Sequence, residues 1–230
     1  MHWQKETLID SMNFKQVSKK LQSVYHLDSE PVAVNYSNQP SPGGNNQKRF
    51  VCVALQQARR GAIINLCAEN ISCPGGMHWL GLKNQSEFLF PYLTKVERFF
   101  KDLAIAKEWF DTVPTPPWGR GKFVILKPLV LAQEEPDLVF FVVNTHQAHR
   151  IQTTLIYNDG SLVLQNFFAA TCQSAIGIPI VTQKPYVSLP DTASRKFAKF
   201  TDSNVIVSLP YHHMVNLLAN IDKSGGATLE

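Results

Sequence analysis

Apolar residues recur along this chain with periods that change from segment to segment, and the changes mark the elements. Between residues 7 and 27 they fall at Leu8, Ile9, Met12, Val17, Leu21, Val24 and Tyr25, with Lys15, Lys19 and Lys20 on the other side of a helical wheel. This spacing predicts an amphipathic helix. Pro31 opens a short strand, PVAVNY, and residues 38–48 form a loop dense in Pro, Gly, Asn and Ser. A helix over residues 50–60 should end at Gly61, a residue suited to a left-handed C-cap. A strand, AIINLCA, follows over residues 62–68, and residues 93–109 read as one helix with a broad apolar face.

The second half alternates in the same way. FVILKPLVLA and LVFFVV read as strands, residues 145–157 as a helix and SLVLQNF as a strand. Residues 172–176 look like a helix start that Pro179 interrupts. VSLP occurs at Val187 and at Val207, the second copy closing a strand before a terminal helix over residues 211–221. Strands and helices mixed throughout predict an α/β or α+β fold, a mixed sheet with helices packed on it.

A weak internal echo suggests two pseudo-repeated halves. A strand, a helix carrying Gln-Ala-x-Arg (Gln57-Ala58-Arg59-Arg60, then Gln147-Ala148-His149-Arg150), a second strand and a cysteine turn occur in that order twice. On this reading the turns at Cys73 and Cys172 face each other across a pseudo-twofold axis. Residues 1–228 are expected to form a single domain, with the proline-rich stretch VPTPPWGRG (113–121) as the half boundary. Leu229-Glu230 reads as the scar of a purification tag.

Composition narrows the class. Apolar residues make up 44% of the 230 and charged residues 17%, a balance that excludes disorder for the bulk of the chain. The net charge of +4 is spread without a basic patch, so nucleic acid is not an expected partner. No apolar run approaches the ~18 residues of a membrane span, and the start, MHWQKETLID, lacks the apolar run of a signal peptide. A soluble, cytoplasmic protein is expected.

The candidate chemistry lies in four cysteines, Cys52, Cys67, Cys73 and Cys172, none paired as Cys-x-x-Cys. A secreted disulfide framework, a zinc ribbon and a thioredoxin-type motif are therefore unsupported. Cys67 reads as core in its strand, and Cys52 lies within a helix. Cys73 is followed by Pro74, and proline favours the first helical position, so Cys73 is expected at an N-cap. Helix amides and the dipole lower a thiol pKa there. Gly75 and Gly76 would let a ligand approach the backbone. The leading expectation is an iron–sulfur cluster or another thiolate-bound metal held by Cys52, Cys73 and Cys172.

Two other readings stay open. One is a domain binding a small anionic ligand without metal, with Arg59, Arg60, Arg120, Arg150 and Arg195 as candidate partners. The other is a cysteine-nucleophile enzyme with His78, His146, His149, His212 or His213 as base. A small-molecule ligand or a redox partner is compatible with these. No P-loop, dinucleotide fingerprint or His-Glu-x-x-His is present. Trp3, Trp79, Trp109 and Trp118 read as packing residues.

Several stretches together resemble a known family. They are Cys52-Val53-Ala54-Leu55 with Ala58 and Gly61, then Asn70-Ile71-Ser72-Cys73-Pro74-Gly75-Gly76, then Leu80-Gly81-Leu82. In the second half they are Asn144-Thr145-His146-Gln147-Ala148, Ala169-Ala170-Thr171-Cys172-Gln173-Ser174 and Ser208-Leu209-Pro210. These resemble the signature segments of the domain of unknown function 169 family, the ArCR proteins, over residues 14–221. The resemblance implies no established activity. It implies a cysteine and a Gly-Asp-Arg after Pro190, where this chain has Asp191-Thr192-Ala193-Ser194-Arg195. Arg195 matches the arginine and is carried as a cofactor-binding candidate; the cysteine is missing. Members are frequent in anaerobic bacteria and archaea, which is compatible with oxygen-sensitive thiolate chemistry.

Overall fold

In a computed structural model, residues 13–158, 160, 163–165 and 170–228 are described. The first half supplies α1 (Phe14–Tyr25), β1 (Val32–Ser37), α2 (Val51–Ala58), β2 (Ile64–Leu66), α3 (Pro74–Trp79), α4 (Ser86–Pro91), α5 (Leu103–Thr112) and β3 (Phe123–Pro128). The second supplies β4 (Leu138–Val143), α6 (Thr145–Leu155), β5 (Leu164–Gln165), α7 (Ile178–Thr182), β6 (Tyr186–Ser188), α8 (Thr192–Ala198), β7 (Val205–Pro210), α9 (Tyr211–Asn220) and α10 (Gly225–Thr228). The helix read at residues 7–27 is seen from Phe14 onward; Trp3, Leu8, Ile9 and Met12 lie outside the described residues, as do Ala169, parts of SLVLQNF and Leu229-Glu230.

The strands form one mixed sheet in the order β2-β3-β1-β4-β7-β6-β5. All neighbours are antiparallel except β5 and β6, which are parallel. Alternation along each strand assigns side chains to opposite faces. Val32 and Val34 of β1 with Leu138 and Phe140 of β4 enter one core, which α2, α3, α5, α7 and α8 cover. Ala33, Val139 and Phe141 enter the other, which α1, α6, α9 and α10 cover. LVFFVV is apolar throughout because β4 is a central strand with helices on both sides.

The strand order is symmetric about the β1–β4 pair, with β2-β3-β1 on one side and β4-β7-β6 on the other. The helices break that symmetry. An axis normal to the sheet would keep α2 and α6 on one face, yet they cover opposite faces. Segment 113–121 joins α5 to β3, and the two strand trios meet later, between β3 and β4.

Local chemistry explains several boundaries. Asn13 and Gln16 form a reciprocal capping box that starts α1. Asn144 and Gln147 do the same for α6, with both bonds at 2.9 Å. This second box accounts for the Asn144 and Gln147 of the family-like stretch. Gly61 takes φ +110° just beyond α2.

Two predicted helices are corrected. The helix read over residues 93–109 is broken. After α4 a π-helical turn, Tyr92–Val96, is followed by a left-handed Arg98 (φ 56°), and α5 begins only where Asp102 caps it. Pro179, expected to interrupt the chain, instead lies inside a helix that starts at Thr171, runs through a π-helical segment, Gln173–Gly177, and continues as α7. A proline orphans the carbonyl four residues back. Here that carbonyl, on Ala175, accepts the Ser208 hydroxyl of β7 at 2.8 Å. Among the described residues no helix is long and apolar enough to cross a membrane.

Candidate functional site

Three tertiary links bring the thiol-bearing segments together on one face of the sheet. The first joins Cys73 to the start of α2. Residues Arg49 and Ile71 form a bridge in which the Arg49 amide donates to Asn70 O and the Ser72 amide to Arg49 O, at 2.9 and 2.8 Å. Arg49, which sequence reading passed over, is buried and also donates to the side chains of Gln57 and Asn45. The second joins the Cys172 turn to α8. Thr171 and Asp191 exchange bonds, the Thr171 amide to Asp191 Oδ2 at 2.7 Å and the Asp191 amide to Thr171 Oγ1 at 2.9 Å. Asp191 Oδ1 also caps α8 through the Ser194 amide. Helix α8 in turn packs on α2, with the Phe50 and Phe197 rings 4.9 Å apart. The third is the contact of α3 with the π-helical segment after Cys172. A Cβ built on Gly177 would lie 2.4 Å from Trp79 O, so only glycine permits this approach.

As a result Cys52, Cys73, Cys172 and Asp191 act on one another electrostatically. Cys52 and Cys73 are half-buried, Cys172 is buried, and all are free thiols. Cys73 is the N-cap of α3, as the Cys-Pro order predicts. The expected lowering of its pKa does not follow. The amides of Val51 and Gly76 do pull the thiol down, but burial pushes it up by more. Burial likewise raises Cys52, to about 12, with Asp191 and Cys73 adding to the effect. Cys172 is raised well above the usual thiol range by burial first, then by Cys73, Asp191 and Cys52. All three are neutral thiols near pH 7. Among the described residues no three His, Cys, Asp or Glu side chains stand at positions that could hold a metal ion.

The remaining candidates divide. Gly76 is required by packing: a Cβ there would lie 2.5 Å from Val51 Cγ2 and 2.7 Å from Cys73 Sγ. The space that sequence reading left for a ligand is therefore filled by protein, whereas a Cβ on Gly75 meets only ordinary contacts with Trp79 and Leu89. Arg195 is held by Pro190 O and by an ion pair with Asp202. Arg150 is buried on the opposite face and donates to Gly226 O and Ala227 O, anchoring α10. Cys67, read as core, lies just beyond β2 and is half-buried, with its thiol near Glu69.

None of the five candidate histidines offers the thiols a base. His78 is buried among Trp79, Phe110 and Trp118, and its Nδ1 accepts the Gln85 amide at 3.2 Å. Burial lowers its pKa to about 4. His146 and His149 lie on α6, and His212 and His213 on α9, both helices of the other face. The last two rings touch, 4.1 Å apart.

Two residues complete the site that sequence reading missed. Asp191 is central to it, and its signal was present: an aspartate after Pro190, before a short polar helix, is an N-cap pattern. Glu97, raised in pKa by burial and by Asp191, approaches from beyond the π-helical turn after α4. No local pattern marks it.

A comparison with family models decides the relationship. The model described as uncharacterised ArCR, domain of unknown function 169, matches residues 20–220. The chain belongs to that family. An uncharacterized protein of Methanocaldococcus jannaschii is similar to it, 24% identical over 225 residues that cover 93% of this chain and 96% of the relative. No solved structure matches. For this ArCR chain the match spans all three thiols and Asp191.

Proposed function

We propose that this ArCR protein binds a soft, thiophilic ligand at the Cys52–Cys73–Cys172 cluster. One observation carries the reading. Three free thiols, remote in the chain, are drawn into mutual electrostatic range on one face, while the opposite core holds no cysteine. A single buried cysteine is an ordinary small hydrophobe. Three within electrostatic range of one another, supported by three separate links, form a soft donor set. Burial keeps the thiols protonated, so a soft ligand must displace those protons on binding, and its affinity rises with pH.

An iron–sulfur cluster or a soft metal ion is the most demanding ligand of this class. The donors fit in kind, but their present spacing does not form a metal site. Holding such a centre requires the side chains to turn inward. A second reading, a small anionic ligand bound without metal, is favoured by a different observation. Gln56, one turn after Cys52, and Gln173, directly after Cys172, are buried with both side-chain amide atoms unpaired. Unpaired buried amides are costly and call for a partner. A cysteine nucleophile is disfavoured, because the thiols are held neutral and the histidines lie elsewhere.

Anaerobic purification followed by iron, zinc and sulfide analysis tests the resident-centre form. Metal that is retained by Cys67→Ser and lost in Cys73→Ser and Cys172→Ser supports it. Protein free of metal and sulfide under those conditions excludes a resident centre and favours the anionic ligand.

A further inference from the structure

A cleft of about 700 Å³ opens at the ends of β4 and β7, and none of the three clustered cysteines lines it. Its volume is within the range of small-molecule sites. On one side stands Arg120, held at two points. Its Nη2 is 3.2 Å from Asp137 Oδ1, and its guanidinium lies 5.1 Å from the centre of the Tyr36 ring. Each Asp137 oxygen holds a partner, since Oδ2 accepts the Tyr36 amide at 2.7 Å. Asp137 therefore positions Arg120, whose planar fork keeps further donors for a carboxylate.

Glu135 stands two residues away on the same rim. Asn35 Nδ2 donates to its main-chain oxygen at 2.9 Å, which fixes the backbone, while the side chain is exposed. Glu135 takes part in none of the ion pairs among the described residues. The rim thus presents one fixed cation and one unpaired anion. The wall adds Val181, 40% exposed, and Pro117, also exposed, with the His212 imidazole beside them. An apolar wall beside a cation–anion pair is complementary to a small zwitterion carrying an apolar side chain.

We infer that this cleft binds a free α-amino acid with an apolar side chain, its carboxylate on Arg120, its ammonium on Glu135 and its side chain against Val181 and Pro117. The inference is independent of the thiol reading, because the two sites share no side chain.

Leucine is the probe, with 4-methylpentanoate lacking the amine and 3-methylbutylamine lacking the carboxylate. Calorimetric titration should show leucine binding at least roughly tenfold more tightly than either analogue, the worth of one missing charge contact. Glu135→Gln, an exposed change that leaves the fold alone, should weaken leucine and leave 4-methylpentanoate unchanged. Arg120→Gln should abolish the advantage of leucine over the amine. Cys73→Ser should leave all three titrations as they were. No leucine binding, equal binding of leucine and 4-methylpentanoate, or indifference to Glu135→Gln would each overturn the assignment.

Discussion

His78 shows how one residue's surroundings reverse a plausible role. Placed five residues after Cys73, it was a candidate base; in the fold it is a neutral ring in an aromatic cage with a pKa of about 4. An unfolded histidine titrates near 6.5, so the unfolded chain binds a proton first as the pH falls. The stabilisation from His78 is complete above pH 6.5 and is lost as the pH falls toward 4. The full loss is on the order of 3 kcal/mol. Urea denaturation at pH 7 and pH 4.5 should show a steeper loss for the native chain than for His78→Gln; equal losses would contradict the burial argument. The thiols obey the same rule with the opposite sign of error. The Cys-Pro order correctly predicts the N-cap at Cys73, but the pKa depends on how much protein covers the sulfur, which is decided by segments 21 to 118 residues away. No local pattern reports that.

At the scale of elements, the helix carrying Cys172 depends on a bond from a strand. Ser208, in the Ser-Leu-Pro of the family-like pattern, satisfies the Ala175 carbonyl that Pro179 leaves open, and it is fully buried. Ser208→Ala should therefore cost about 1–3 kcal/mol, the range for an unsatisfied buried acceptor. It should also speed hydrogen exchange over residues 173–182 more than over α6. A loss spread evenly over both helices would contradict a local role. The element sequence was largely legible: β1, α2, β4, α6 and α9 lie where hydrophobic periodicity places them. The misses have physical causes. Pro179 was read as a breaker because a π-helical segment and a distant hydroxyl can accommodate proline, and neither is written nearby. The helix over 93–109 was read as continuous because Phe99 and Phe100 extend its apolar pattern across the break at Arg98.

At the scale of the molecule, one sheet face gathers the thiols and the other anchors the terminal helices. Cys73 and Cys172 lie within electrostatic range of each other, but the repeat from which this was expected is broken by the placement of the helices. The placement of α2 and α6 on opposite faces was beyond sequence reading, because crossover direction is set by packing rather than by local pattern. The approach of Asp191 to the thiols, and of Glu97 to Asp191, belongs to the same class of long-range facts. On the proposed function, three of the four thiols act as one receiver. Anaerobic titration with cadmium, read by the ultraviolet sulfur-to-metal absorption, tests it most directly. The expected result is one tight ion per chain, unaffected by Cys67→Ser, weakened at least roughly tenfold by serine at Cys52, Cys73 or Cys172, and tighter at higher pH. No absorption band, or one that depends on Cys67 and ignores the other three, would contradict it.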